Sequence, residues 1–132
     1  MRIKNILLAE DDEDDILFFK EFLAERSDIF LLPPAENGIE LLEILQTSQQ
    51  QGALPDLIIL DQNMPKLNGM QTLLRIKQEP TYTGIPIFVY STYTTDDLVN
   101  TCMKNGAALV MMKPTNREGY AKMIEEIFEK VD

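Results

Sequence analysis

The chain has no histidine, no tryptophan and one cysteine, and only 12 Lys+Arg stand against 22 Asp+Glu. Each shortage removes a class of function. Without His there is no imidazole general base, no His-ligated metal and no histidine phosphocarrier. A single Cys excludes disulfides within the chain and Cys-cluster zinc sites. The formal charge of −10 argues against binding nucleic acid or an anionic membrane by bulk electrostatics. No window approaches the ~18 apolar residues of a membrane span. The N-terminal apolar stretch Ile6-Leu7-Leu8-Ala9 runs into acids too soon to be the core of a signal peptide. A cytoplasmic location is expected, and the near-absence of Cys agrees with it.

What remains is an ordinary globular composition, with 45% apolar and 26% charged residues in 132. One domain is expected, burying roughly two-thirds of the unfolded surface. The negative charge is concentrated. Glu10, Asp11, Asp12, Glu13, Asp14 and Asp15 are consecutive and supply more than half of the imbalance. Such a run often reads as a solvated tail. Here it lies between a strand-like apolar run and Ile16, Phe19, Phe22 and Leu23, which are spaced for one face of a helix. It is therefore a strand-to-helix turn. Acids in the first helical turn favour the helix dipole, which accounts for Asp14 and Asp15. Asp12 reads as a surface acid. Glu10 and Asp11, at the end of the strand, are not accounted for in this way.

Strand-like and helical segments alternate along the rest of the chain. A helix over 14–27 precedes a weak strand over 29–33, ended by Pro33-Pro34, and the turn Glu36-Asn37-Gly38. Ile39, Leu41, Leu42 and Leu45 mark a second helix, and the polar residues 47–54 read as a mobile surface loop. Leu57-Ile58-Ile59-Leu60 is a fully apolar strand closed by Asp61, as expected in the middle of a parallel sheet. A Pro/Gly loop over 62–69 leads to a helix with Leu73, Leu74 and Ile76 that Pro80 closes. Residues 85–90 are the fourth strand. Thr94 or Thr95 caps a helix carrying Leu98, Val99, Cys102 and Met103, ended by Asn105-Gly106. Residues 107–112 are the fifth strand, broken by Lys113-Pro114, and a last helix covers about 117–130. Cys102 and the methionines, Met111 and Met112 included, read as core filler. Five strands alternating with five helices predict a three-layer α/β fold with a doubly wound, flavodoxin-like parallel sheet of order 2-1-3-4-5.

In such sheets the site lies beyond the carboxyl ends of the strands. The polar residues there are Glu10 and Asp11 after strand one, Asp61 after strand three, Ser91 after strand four and Lys113 after strand five. Three carboxylates gathered in one pocket repel each other. A hard cation relieves that repulsion, and an all-oxygen donor set without His or Cys points to Mg²⁺. Carboxylates, a cation, a hydroxyl and an ammonium suit phosphoryl transfer to a carboxylate.

Glu10-Asp11, Asp61-Gln62-Asn63-Met64-Pro65 with Gly69, Ser91-Thr92 and Lys113-Pro114, in this order and at these intervals, resemble the receiver domain of two-component response regulators. The resemblance spans essentially the whole chain. The Gln-rich stretch before the third strand is similar to that of small stand-alone receivers of the phytochrome-associated type. The resemblance implies that Asp61 accepts a phosphoryl group and that Asp11 holds Mg²⁺ directly, with Glu10 acting through water and the Asn63 backbone carbonyl as a further ligand. It implies that Ser91 and Lys113 bind the phosphoryl group and that the Lys113–Pro114 bond is cis. The donor it implies is a partner histidine kinase or histidine phosphotransfer protein. It further implies a downstream protein target, a homodimer as a common family state, and a signalling protein that is no enzyme beyond turning over its own phosphoryl group. No output domain is expected after the last helix, so signalling would run through the face of the fourth helix, fifth strand and fifth helix.

Two positions depart from the family pattern. Val110 stands where a switching aromatic is usual, leaving Tyr90 or Tyr93 as substitutes. Thr92 and then Tyr93 follow Ser91 where a small residue is usual, which predicts slower access of water to an acyl phosphate. Alternatives are a phosphorelay intermediate that passes the group on, a degenerate receiver that only binds, and a flavodoxin-like electron carrier. The acids after strand one would repel the FMN phosphate of the last.

Overall fold

Parallel pairing organises the chain, and the computed structural model describes residues 3–131. The strands are β1 (Lys4–Ala9), β2 (Ile29–Leu31), β3 (Leu57–Asp61), β4 (Ile87–Ser91) and β5 (Leu109–Met112). They form one sheet of order β2-β1-β3-β4-β5, every pair parallel, as expected. The helices are α1 (Glu13–Leu23), α2 (Gly38–Gln50), α3 (Gly69–Lys77), α4 (Asp96–Lys104) and α5 (Arg117–Val131), with a 3-10 turn at Pro80–Tyr82.

The sheet is coated on both faces, which is why β3 and β4 are buried along their whole length. Phe19 and Leu23 of α1 pack with Tyr120, Met123, Ile124, Ile127 and Phe128 of α5 on one face. Leu41, Leu45, Leu73, Ile76 and Cys102, from α2, α3 and α4, cover the other. Cys102 is buried there, as its place on an apolar helix face predicts. Among the described residues no helix is long and apolar enough to cross a membrane.

Several boundaries differ from the sequence expectations, each for a local reason. β2 stops at Leu31, two residues before the expected end, because Pro33 and Pro34 have no N–H to offer a ladder. The chain regains β1 only through Ala35, whose N–H donates to the Leu8 carbonyl at 2.8 Å. β4 begins at Ile87, after Pro86, and runs on to Ser91. α1 ends at Leu23, four residues early. β5 starts at Leu109 rather than 107, because the Ala107 N–H closes the end of α4 on the Cys102 carbonyl. The first half of the expected mobile loop over 47–54 is helix. Glutamines are good helix formers, and α2 runs on through them to Gln50. Gln49 anchors that end, accepting from the Tyr82 hydroxyl at 3.0 Å and donating to Thr81.

Two contacts position the β3–α3 loop. Gln62, directly after Asp61, accepts the Met70 N–H on its side chain at 2.7 Å, fastening the loop to the first turn of α3. Gly69 begins that helix so close to the strand end that a Cβ would stand 2.8 Å from the Asp61 carbonyl oxygen. Only glycine lets α3 start there without displacing Asp61.

Candidate functional site

The sheet order reverses between β1 and β3, and the crevice at their carboxyl ends collects the predicted residues. Glu10 follows β1, Asp61 is the last residue of β3, Ser91 is the last of β4, and Lys113 follows β5. Lateral register brings them level, with Asp61 opposite Tyr90 and Ser91 opposite Met112.

Asp61 is 1% exposed. Its Oδ1 accepts the Asn63 N–H at 3.0 Å, and its Oδ2 lies 3.4 Å from Lys113 Nζ. Glu10 is fully buried with both oxygens engaged. Oε2 accepts the backbone N–H groups of Asp11 and Asp12 at 3.0 and 3.1 Å, while Oε1 accepts from the Tyr90 hydroxyl and lies 3.2 Å from Lys113 Nζ. Asp11 is exposed at the mouth. One carboxylate oxygen from each of Glu10, Asp11 and Asp61 falls within 4.8 Å of the others.

Burial is the largest influence on these groups. It pushes the Glu10 carboxyl up to about 7; the Tyr90 hydrogen bond opposes the rise and the charge of Asp61 adds to it. Burial also raises Asp61, against the opposing pull of the Asn63 N–H and the Lys113 charge. Burial alone would lower Lys113, but the hydrogen bond to Asp15 and the charges of Glu10 and Asp61 outweigh it, and the ammonium is held more firmly than usual. One cation thus faces more negative charge than it can neutralise. Hard carboxylate oxygens at this separation suit a divalent oxygen-seeking ion, so the donor set fits Mg²⁺.

A pH dependence follows. In EDTA, folded Glu10 keeps a proton up to about 7 that the unfolded carboxyl, at 4.5, has already released. Folding therefore takes up a proton between these values, and stability falls as the pH rises through that window. Urea midpoints should decline across it, and Glu10→Gln should flatten the decline.

The Ser91 hydroxyl is turned to Asn63 rather than to Asp61. It donates to the Asn63 side-chain oxygen at 3.3 Å, which also receives the Thr92 N–H at 3.4 Å. Thr92 is exposed and Tyr93 is 80% exposed, both beside the mouth. Val110 is half-buried and packs on the sheet face covered by α2, α3 and α4. Tyr90 lies on the opposite face, fully buried and bonded to Glu10. The expected cis bond is corrected: no peptide bond among the described residues is cis, so Lys113–Pro114 is trans. The trans form is the intrinsically favoured one by ~0.5–1 kcal/mol. With it, the Lys113 N–H still reaches the Ser91 carbonyl at 2.7 Å and its ammonium the carboxylates.

Two assignments of the acidic run change. Asp12 is the N-cap of α1, accepting the N–H groups of Asp14 and Asp15. Asp15 is more than a helix-start acid: its Oδ2 lies 3.0 Å from Lys113 Nζ, and its Oδ1 accepts from the Tyr120 hydroxyl. A signal was present in the sequence, because Asp15 stands one turn before Phe19 and two before Leu23 on the inward stripe of the helix.

Comparison with known proteins gives a consistent picture. The response regulator receiver domain family matches residues 6–125. Response regulator Rcp1 of Synechocystis sp. (strain ATCC 27184 / PCC 6803 / Kazusa) is 32% identical over 129 residues, covering 94% of this chain and 86% of Rcp1. The crystal structure of the Mn²⁺-bound form of Rcp1 superposes with a TM-score of 0.83 at 31% identity, over 94% of this chain and 91% of that one. The phosphorylated cyanobacterial phytochrome response regulator RcpA superposes with a TM-score of 0.87 at 29% identity, over 96% and 92%.

Proposed function

The chain belongs to the response regulator receiver domain family, and from that premise we propose that Asp61 accepts a phosphoryl group from the phosphohistidine of a partner kinase or phosphotransfer protein. The observation that carries this is the setting of Asp61: a buried carboxylate at the switch point, with Glu10 and Asp11 within 4.8 Å and an ammonium at 3.4 Å. The donor histidine lies outside these 132 residues, none of which is His. A carboxylate oxygen of Asp61 forms the O–P bond as the P–N bond breaks, and the imidazole leaves with the bonding electron pair. Asp11, Asp61 and the Asn63 carbonyl would hold Mg²⁺, with Glu10 acting behind them because its own oxygens are engaged. When bound, that ion takes up charge on the transferring group. Lys113 supplies a second positive charge from within the fold.

The conformational readout starts at Asn63. Its side-chain oxygen holds the Ser91 hydroxyl and the Thr92 N–H. A phosphoryl oxygen on Asp61 competes for both donors and draws the β4–α4 loop inward, biasing the face of α4, β5 and α5. Val110 offers no ring to swing, so the change on β5 is a shift of backbone and aliphatic side chains. On this reading the receiver works in the cytoplasm and passes its signal on through protein contacts.

Titration with beryllofluoride in the presence of Mg²⁺, followed by NMR, tests this reading. Saturable shifts around Asp61 and the β4–α4 loop are expected, and a protein that does not respond would refute it. Thr92→Ala should hydrolyse its acyl phosphate several-fold faster than wild type, because the side chain beside Ser91 partly shields the phosphorus from water. A dephosphorylation time course checks this, and an unchanged rate counts against shielding by Thr92.

A further inference from the structure

Lys113 is held from three sides, and the shortest of its contacts is not to the phosphoryl-accepting residue. Its ammonium lies 3.0 Å from Asp15, 3.2 Å from Glu10 and 3.4 Å from Asp61. An ammonium has three N–H donors, one for each carboxylate. Each of the two closer carboxylates is fixed in turn by a buried tyrosine hydroxyl, Glu10 by Tyr90 and Asp15 by Tyr120. Those tyrosines cannot drift. Both are fully buried; Phe19 meets the Tyr90 and Tyr120 rings edge-on with centroids 5.7 and 5.5 Å apart, and Phe18 stacks on Tyr120 at 4.8 Å.

We propose that Asp15 is a positioning residue: braced by Tyr120, it anchors Lys113 so that the remaining N–H is aimed at Asp61 and the group Asp61 carries. Two N–H groups stay on Asp15 and Glu10, and the third passes from Asp61 to the arriving phosphoryl oxygen without the side chain having to be recruited. A lysine freed from Asp15 keeps its charge but samples several orientations on a flexible stem, and it must be ordered when the phosphoryl group arrives. The bracket also joins the site to α1 and α5, which carry Asp15 and Tyr120. The bland role for Asp15 is to satisfy a buried hydroxyl. Asp15→Asn separates the two roles, because the amide oxygen can still accept from Tyr120 while the charge facing Lys113 is lost.

This inference rests on the reading of Asp61 as phosphoryl acceptor, and the test keeps the two apart. Beryllofluoride and Mg²⁺ affinities are measured on wild type, Asp15→Asn and Tyr120→Phe, with urea midpoints recorded alongside. Asp15→Asn should raise the beryllofluoride half-saturation about tenfold, as expected for loss of one charge-assisted hydrogen bond. Its Mg²⁺ affinity should stay within about threefold, since Lys113 would contact the phosphoryl group and not the ion. Tyr120→Phe, which leaves the charge but loosens Asp15, should shift beryllofluoride binding in the same direction by less. It serves as the deciding variant if Asp15→Asn does not fold. A merely structural Asp15 would weaken both ligands in parallel with stability. Parallel weakening, or an unchanged or tighter beryllofluoride half-saturation, overturns the proposal. A wild type that binds no beryllofluoride refutes the reading of Asp61 instead.

Discussion

Asp61→Asn is expected to abolish the response to acetyl phosphate and beryllofluoride completely, while making the metal-free protein more stable. The loss follows because an amide cannot form an acyl phosphate or complete the carboxylate set with Glu10 and Asp11. The gain follows because Asp61 is 1% exposed and burial raises its carboxyl against the charge it carries at neutral pH. Removing that charge also relieves Glu10, which feels Asp61 as a repulsive neighbour. Gains of about 0.5–2 kcal/mol are typical when a strained functional group is neutralised. Urea denaturation in EDTA at pH 7 checks the sign. With saturating Mg²⁺ the advantage should shrink, since only the wild type gains from the ion. Lower stability of the variant in EDTA would mean that Lys113 over-compensates Asp61 and that the site is not charge-strained.

Lys113→Met is expected to have the opposite signature. It removes the one ammonium that Glu10, Asp15 and Asp61 share. Breaking a buried ion pair from one side costs roughly 3–5 kcal/mol, and here the cost is at the lower end because Glu10 can take up a proton. The loss should therefore be largest above pH 7 and smaller near pH 5. Mg²⁺ should bind more tightly and restore more stability than in wild type, because the carboxylates lose their competing cation. Acetyl phosphate labelling measures phosphorylation in the same variant, and the NMR shifts of the β4–α4 loop expected in wild type should be absent. A variant as stable as wild type in EDTA, with unchanged Mg²⁺ affinity, would contradict the electrostatic account of the site.

Much of this was legible in the chain itself. The order 2-1-3-4-5 follows from alternating strands and helices, and the fully apolar run before Asp61 marks a central parallel strand. The strand ends then name Glu10, Asp11, Asp61, Ser91 and Lys113; the structure gathers the three acids and Lys113, and turns the Ser91 hydroxyl to Asn63. What the chain concealed depends on side-chain reach across elements. Asp15 was assigned to the helix dipole, because first-turn acids are common and its partner lies 98 residues away. In the sequence Tyr90 draws notice only as a substitute for the missing switch aromatic, and Tyr120 draws none; both are buried, and their hydroxyls reach Glu10 and Asp15 because α1, β4 and α5 converge at one end of the sheet. Residues 47–50 belong to α2 rather than to the expected loop, because polarity suggests a loop whereas Gln-rich sequence is also good helix and Gln49 finds Tyr82 across the fold; 51–54 do form turn and loop. The Lys113–Pro114 bond was assigned cis by resemblance, where the chain alone favours trans.

The central claim is that Asp61 is the residue that takes the phosphoryl group. Intact-mass measurement of the wild-type chain after incubation with acetyl phosphate and Mg²⁺, followed by borohydride reduction and peptide mapping of the acyl phosphate, tests it most directly. The account predicts a single Mg²⁺-dependent phosphoryl adduct, with the reduced residue at Asp61. No adduct under these conditions, or an adduct on any other residue, would contradict it.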